Sequence, residues 1–291
     1  MSRQGTAATL VPLLFVLLWS TGFLGAKLGL PHAAPLAFLT VRYLLVVTLM
    51  TALALVLRAH WPRGGRQWFH IGVSGLLVHA LYLGGVFVAI GHGLPAGVTA
   101  LVVGMQPLLT AATAGWLLGE RVVARQWLGL ALGFVGVALV LASRFSLNAE
   151  LGPQLLPALL ALLGITGGTL YQKRFCPKFD LRSGALIQFV PSALLTALAV
   201  LLFEDFRIDW SGEFVFALGW LVLVLSLGAI SLLNLLIRSG SAVNVASLFY
   251  LTPPTTALIA WLLFGEKLTL TAGLGMALAA GGVYLVARPG K

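Results

Sequence analysis

Few side chains in this sequence of 291 residues are able to do chemistry inside an apolar environment. Arg42 is the one basic residue well inside a hydrophobic stretch. Seven residues from the edge of that stretch, at 1.5 Å per helical residue, it sits about 10 Å deep. It can snorkel to the interface, pair with a helix-end carboxylate, or hold the carboxylate of a bound molecule; the structural roles are favoured. His79 is the one mid-stretch group that titrates near neutral pH. Gln106 and Asn234 are the bulkier neutral polar groups at similar depth. No Asp or Glu lies in the middle of any apolar stretch. The single cysteine, Cys176, excludes a disulfide framework and a cysteine-based metal site. No catalytic residue, metal site or cofactor is expected. The chemistry on offer is non-covalent recognition of a small polar molecule.

Helical spacing groups further polar residues with these. Thr99, Gln106, Thr110 and Thr113 share one stripe, and Asn244, Ser247 and Thr255 another. Ser231, Asn234 and Arg238 share a face, and His79 and Tyr82 are three apart. Trp19 and Ser20 lie in the first stretch, Tyr171 and Gln172 in the sixth. Together they suit a polar cavity with aromatic walls, fit in chemistry for a zwitterion with an apolar side chain. A single Ser or Thr is expected to bond to its own helix backbone or to join helices. His79, Gln106 and Asn234 are expected to face the cavity.

The elements that position these residues follow from composition. The chain is 59% hydrophobic and 9% charged, against about 25% charged in soluble domains. A water-facing surface cannot be built from that, so an ordinary soluble enzyme and a disordered chain are excluded. The basic excess then reads as loop charge at a membrane, not as a nucleic-acid surface. Ten windows are long and apolar enough to cross a bilayer: 7–26, 35–57, 69–91, 97–118, 126–143, 152–172, 183–203, 214–237, 243–264 and 269–287. With ten spans, 13 of the 18 basic residues fall on the side of the termini and 4 on the opposite side. Both termini are therefore expected in the cytoplasm.

A shift of 146 residues aligns Gly119-Glu120-Arg121 with Gly265-Glu266-Lys267. It also aligns Pro107 with Pro253, Gly129 with Gly275, Gly136 with Gly282, and Lys27 with Lys173. Residues 1–146 and 147–291 are therefore read as two repeats of five spans. Five is odd, so the second repeat enters from the opposite face, giving an inverted-topology pair suited to alternating access. Pro107 and the pair Pro253 and Pro254 lie mid-span at matching places, which predicts broken helices and a binding site beside them. Lys27 and Lys173 are expected to anchor span ends, and Glu120 and Glu266 to serve tight helix–helix turns. Gly129, Gly133, Gly275 and Ala279 have the small-residue spacing of close helix packing.

These residues carry a resemblance to the drug/metabolite transporter superfamily, in its ten-helix EamA-type branch. The paired Pro…Gly-Glu pattern of the fourth and ninth spans resembles that family. So do the glycine-rich spans after each, the opening Trp19-Ser20-Thr21-Gly22-Phe23 with Lys27, and Arg42-Tyr43. The resemblance implies an all-α polytopic inner-membrane protein. Spans 1, 3, 4, 6, 8 and 9 would wall a central cavity. It further implies an exporter of amino acids, aromatic or otherwise apolar, or of related small metabolites in a bacterial cell. The missing mid-span carboxylate points to facilitated diffusion. A proton-coupled multidrug or metabolite efflux antiporter is the alternative, with His79 the group that could carry the proton. An intramembrane serine protease is a remote one: Gly72-Val73-Ser74-Gly75 resembles the rhomboid nucleophile segment, without an identifiable base. The expected partners are the lipid bilayer and a small-molecule substrate, with a monomer favoured and a dimer possible.

Overall fold

The computed structural model describes residues 3–142, 152–264 and 268–288. The described residues are helical apart from short connections and one isolated bridge, Ala33 to Ile208. Ten helices have the length and apolarity to cross a membrane: α1 Leu10–His32, α2 Pro35–Val56, α3 Gly65–Gly91, α4 Ala96–Leu118, α5 Ala124–Ala142, α6 Leu155–Phe175, α7 Leu181–Phe203, α8 Gly212–Ser239, α9 Ala242–Ile259 and α10 Leu270–Ala287. A helix satisfies its backbone polar groups internally, which is what hydrocarbon demands. Large apolar side chains such as Val56, Trp116, Leu201, Phe203 and Leu270 stand outward and exposed. That is a lipid-facing surface, not a water-facing one. The expected boundary at residue 146 lies outside the described residues.

Loop contacts sort into two ends. At the end of the termini, Asp180 accepts from the backbone N–H of His60 and pairs with Arg182 at 2.6 Å. Glu120 accepts from the N–H of Ala242, and Arg238 donates to the carbonyl of Phe179. At the far end, His32 meets Asp209 at 3.0 Å, and the Glu204 carboxylate accepts from the N–H groups of Leu36 and Ala37. Each of these contacts joins loops that the ten-span count puts on one side.

The helices are interrupted in pairs. In α4 the helix breaks at Gly104–Met105, and Pro107 sits in the first turn of the following segment, Gln106–Leu118. In α9 a 3-10 turn, Leu248–Leu251, precedes the segment Thr252–Phe264, which opens on Pro253 and Pro254. Proline lacks the N–H that would continue the ladder, and the Thr252 hydroxyl donates to the carbonyl of Phe249. Two wide π-helical stretches, Leu76–Leu83 in α3 and Leu221–Ala229 in α8, also fall at matching places. A shift of 146 carries the first onto the second to within one residue.

Helices α5 and α10 meet through glycine. A methyl group on Gly129 would lie 2.6 Å from the carbonyl oxygen of Gly282, and one on Gly136 2.5 Å from that of Gly275. Residue 129 meets 282 and 136 meets 275, so the two helices run antiparallel. The 146-residue shift turns one contact into the other, as at an isologous two-fold interface.

Candidate functional site

Arg42 lies in the far half of the molecule, seven residues into α2. Its residue is 3% exposed, so it does not reach an interface. Nor does it pair with a carboxylate. Its Nε donates to the Ser226 hydroxyl at 3.1 Å, and its two terminal amino groups have no acceptor among the described residues. Ser226 donates in turn to the carbonyl of Leu221, five residues back, at 3.1 Å. That i−5 bond belongs to the π-helical stretch of α8, and it aims the serine at α2.

Arg42 borders a cavity of 40 Å³ together with Trp19, Ala26, Tyr82, Phe87 and Leu225. The Trp19 and Tyr82 rings are parallel within 7°, centroids 6.4 Å apart. Phe15 and Phe249 back Trp19 at 5.2 Å each. His79, on the π-helical stretch of α3, stacks on Phe189 at 4.0 Å. Its backbone carbonyl accepts from the Tyr43 hydroxyl, and both ring nitrogens are buried without a hydrogen-bond partner.

The half nearer the termini is built differently. Three amides close a ring there: Gln172 donates to Asn234 at 2.9 Å, Asn234 to Gln188 at 3.3 Å, and Gln188 to Gln172 at 3.0 Å. Gln188 also donates to the Ser74 hydroxyl at 3.0 Å. The ring ties α6, α7 and α8, and Ser74 adds α3. Beyond it Lys173 donates to the carbonyl of Gly240 and lies 3.7 Å from Glu120. Gln106, Thr169, Lys173 and Ala246 line a cleft of only 10 Å³. Gln106, Thr110 and Thr166 are buried without partners, as is the hydroxyl of Tyr250.

The remaining candidate residues are dispersed. Ser20 donates to the carbonyls of Val16 and Thr252, joining α1 to α9. Thr99 and Ser247 donate to their own helices. Asn244 accepts from Gln126 at the membrane edge. Tyr171 bonds His70 at 2.6 Å and packs on Phe175, near the end of the termini and away from the cavity. Lys27 is exposed. Gly119 closes α4 in the left-handed conformation, φ 69°, and delivers Glu120 to Ala242. Glu266 lies outside the described residues. Ser74 bonds Ile71 and Gln188, with no histidine on its hydroxyl, so the protease motif has no base here.

Two titratable groups outside the spans are perturbed. The Arg182 guanidinium holds the Asp180 carboxyl well below the usual carboxylate range, and the N–H groups of Arg182 and His60 help. Burial pushes the Cys176 thiol up to about 11, which makes it an inert thiol.

Gln188 and Ser226 are absent from the polar stripes noted in the sequence. Gln188 was legible all the same: it stands 146 residues after Arg42. Ser226 was not, because only the π-helical geometry turns it toward α2.

Known proteins bear on this arrangement. The profile of the EamA-like transporter family matches residues 6–142 and again 153–288. An "uncharacterized transporter YvbV" of Bacillus subtilis is 29% identical over 283 residues, covering 97% of this chain and 92% of its own length. An "uncharacterized inner membrane transporter YedA" of Escherichia coli is 28% identical over 273 residues, 93% of this chain and 87% of that protein. A "probable amino-acid metabolite efflux pump" of Escherichia coli is 27% identical over 288 residues, 94% of this chain and 92% of that protein. A crystal structure superposes with a TM-score of 0.78 over 98% of this chain and 97% of the other, at 23% identity, which speaks for the fold alone.

Proposed function

The chain belongs to the EamA-like transporter family, and we propose that it exports amino acids with aromatic or other apolar side chains, or related small metabolites, across a bacterial inner membrane by alternating access. The observation that carries this reading is the contrast between halves. An aromatic-walled cavity occupies the far half, while a closed amide ring fills the equivalent level near the termini. The antiparallel glycine contact of α5 and α10 supports two inverted repeats, each spanning about half of the chain. Two inverted halves can exchange open and closed shapes at similar energy. The paired helix breaks at Gly104–Met105 and Leu248–Leu251 supply places to bend.

The basic-residue asymmetry supports cytoplasmic termini, so the cavity faces outward and the amide ring closes the cytoplasmic side. A single copy supplies the whole cavity, which supports a monomer. Among the described residues no acid lines the cavity and no carboxylate is bonded to the His79 ring. The substrate gradient alone then drives transport.

Counterflow in proteoliposomes tests this. Purified protein preloaded with unlabelled L-phenylalanine is expected to accumulate labelled L-phenylalanine at the same rate with and without an imposed pH gradient. A gradient-accelerated rate that is lost in His79→Ala would replace this reading with proton antiport.

A further inference from the structure

A buried guanidinium with two free amino groups is costly unless something answers its charge. Among the described residues nothing does. The ionisable groups near Arg42 are His79, Tyr43 and Tyr82, and none of them is an anion at neutral pH. Its one hydrogen bond, from Nε to Ser226, fixes the plane of the guanidinium and leaves the fork of terminal amino groups beside the cavity. A carboxylate accepts two parallel bonds from such a fork. Trp19 and Tyr82 flank the same space and offer ring faces to an apolar group.

The equivalent position in the other half shows what that level looks like without a charge. Gln188, 146 residues on, has its amide fully engaged with Gln172, Asn234 and Ser74. Gln172 itself is the counterpart of Ala26, which lines the cavity beside Arg42. Where the ring near the termini satisfies itself, the far half has Ala26, Arg42 and Val88 in place of the three amides and leaves a donor pair waiting.

We propose that Arg42 is the carboxylate-binding residue of the transport site, and that the protein selects substrates carrying a carboxylate beside an aromatic or apolar group. This rests on the export reading above. At 40 Å³ the cavity has room for a few waters but not for an amino acid with an aromatic side chain. Binding therefore requires it to widen, by movement of Leu221 and Leu225 away from Gly25 and Gly22, against which they pack. The positive charge also sets the selectivity against lipophilic cations. A substrate amine can be answered by neutral groups here, such as the ring faces of Tyr82 and Trp19.

The test measures binding to purified full-length protein by thermal shift, with three matched probes: L-phenylalanine, 3-phenylpropionate and phenethylamine. The two carboxylates are expected to raise the melting temperature and phenethylamine is not. In Arg42→Gln, which copies the residue of the equivalent position, both carboxylates are expected to bind about 10- to 100-fold more weakly, as for loss of charge-assisted hydrogen bonds. Size-exclusion chromatography confirms folding. Should Arg42→Gln not fold, Arg42→Lys serves: it keeps the charge but loses the fork, and about 10-fold weaker carboxylate binding is expected. Equal binding of carboxylates by wild type and variant, tight binding of phenethylamine, or no carboxylate binding at all would overturn the assignment. Counterflow separates the two claims. Carboxylates that bind through Arg42 without being transported would uphold the site and refute export.

Discussion

Arg42 and Gln188 stand at the same depth on equivalent helices, each seven residues from the start of its span, yet their surroundings are opposite. Arg42 reaches across to α8 through Ser226 and leaves its fork beside a cavity. Gln188 reaches across to α3 through Ser74 and completes a closed ring of amides. The paired helices are the same, α2 with α8 and α7 with α3, and the π-helical stretches sit on the receiving helix each time. The difference teaches that a repeated scaffold can be sealed at one level by neutral groups that satisfy one another, and kept ready at the equivalent level by a charge that nothing satisfies.

The harshest way to break the comparison is Gln188→Arg. It installs a second buried guanidinium where Gln172, Asn234 and Ser74 are already committed. An unanswered buried charge costs about 3–5 kcal/mol, so the variant is expected to lose most folded protein, as seen by size-exclusion chromatography after detergent extraction. Gln188→Leu is milder. It orphans the partners of one amide at about 1–3 kcal/mol, and is expected to lower the melting temperature while loosening the seal near the termini. Retention of wild-type melting by Gln188→Leu would show that the ring is incidental.

Much of this architecture is legible in the sequence, for physical reasons. Hydrocarbon admits only helices and closed barrels, and apolar runs of about 20 residues fit the helix, so the windows predict ten spans, and the described residues hold ten helices fit to cross a membrane. Proline's missing N–H made the breaks in α4 and α9 foreseeable, though the breaks themselves come a few residues earlier, at Gly104–Met105 and Leu248–Leu251. The site was less legible. Periodicity of 3.6 governs stripes, and the two π-helical stretches depart from it where His79, Tyr82 and Ser226 sit. Tyr171 shares a helix with Gln172 but turns to His70, because adjacent residues point about 100° apart on a helix. Whether Arg42 has a carboxylate partner needs coordinates to be seen: among the described residues its bond is to the Ser226 hydroxyl.

Smaller effects sharpen the contrast. Ser226→Ala removes the anchor of the Arg42 guanidinium but leaves its charge. Carboxylate affinity is expected to fall by about 10-fold, in line with one hydrogen bond to a charged group, while the melting temperature changes by no more than a few degrees. The smallest effect lies outside both regions. Asp180 has its folded-state pKa depressed, chiefly by Arg182. Its contribution is therefore complete above the unfolded carboxylate value of about 4 and is lost as pH falls through the depressed folded value. Asp180→Asn is expected to lower the melting temperature at pH 7 and to narrow its gap from wild type as the medium is acidified below about pH 4. A gap that stays constant down the acid limb would show that the Arg182 pairing adds nothing.

On the proposed alternating access, the amide ring seals one end of a single path while the cavity opens at the other. The lone cysteine makes the direct measurement simple: with Cys176→Ser as background, single cysteines at Leu83→Cys, beside the cavity, and Ala246→Cys, in the cleft near the termini, are labelled by a membrane-impermeant maleimide from each side of sealed vesicles. With the ring intact, Leu83→Cys is expected to react from the far side and Ala246→Cys to be protected. Adding Gln188→Leu is expected to reverse both, so that Ala246→Cys becomes reactive from the side of the termini as Leu83→Cys is shielded. Labelling at both positions that ignores Gln188→Leu, or that rises at both together, would contradict alternating closure.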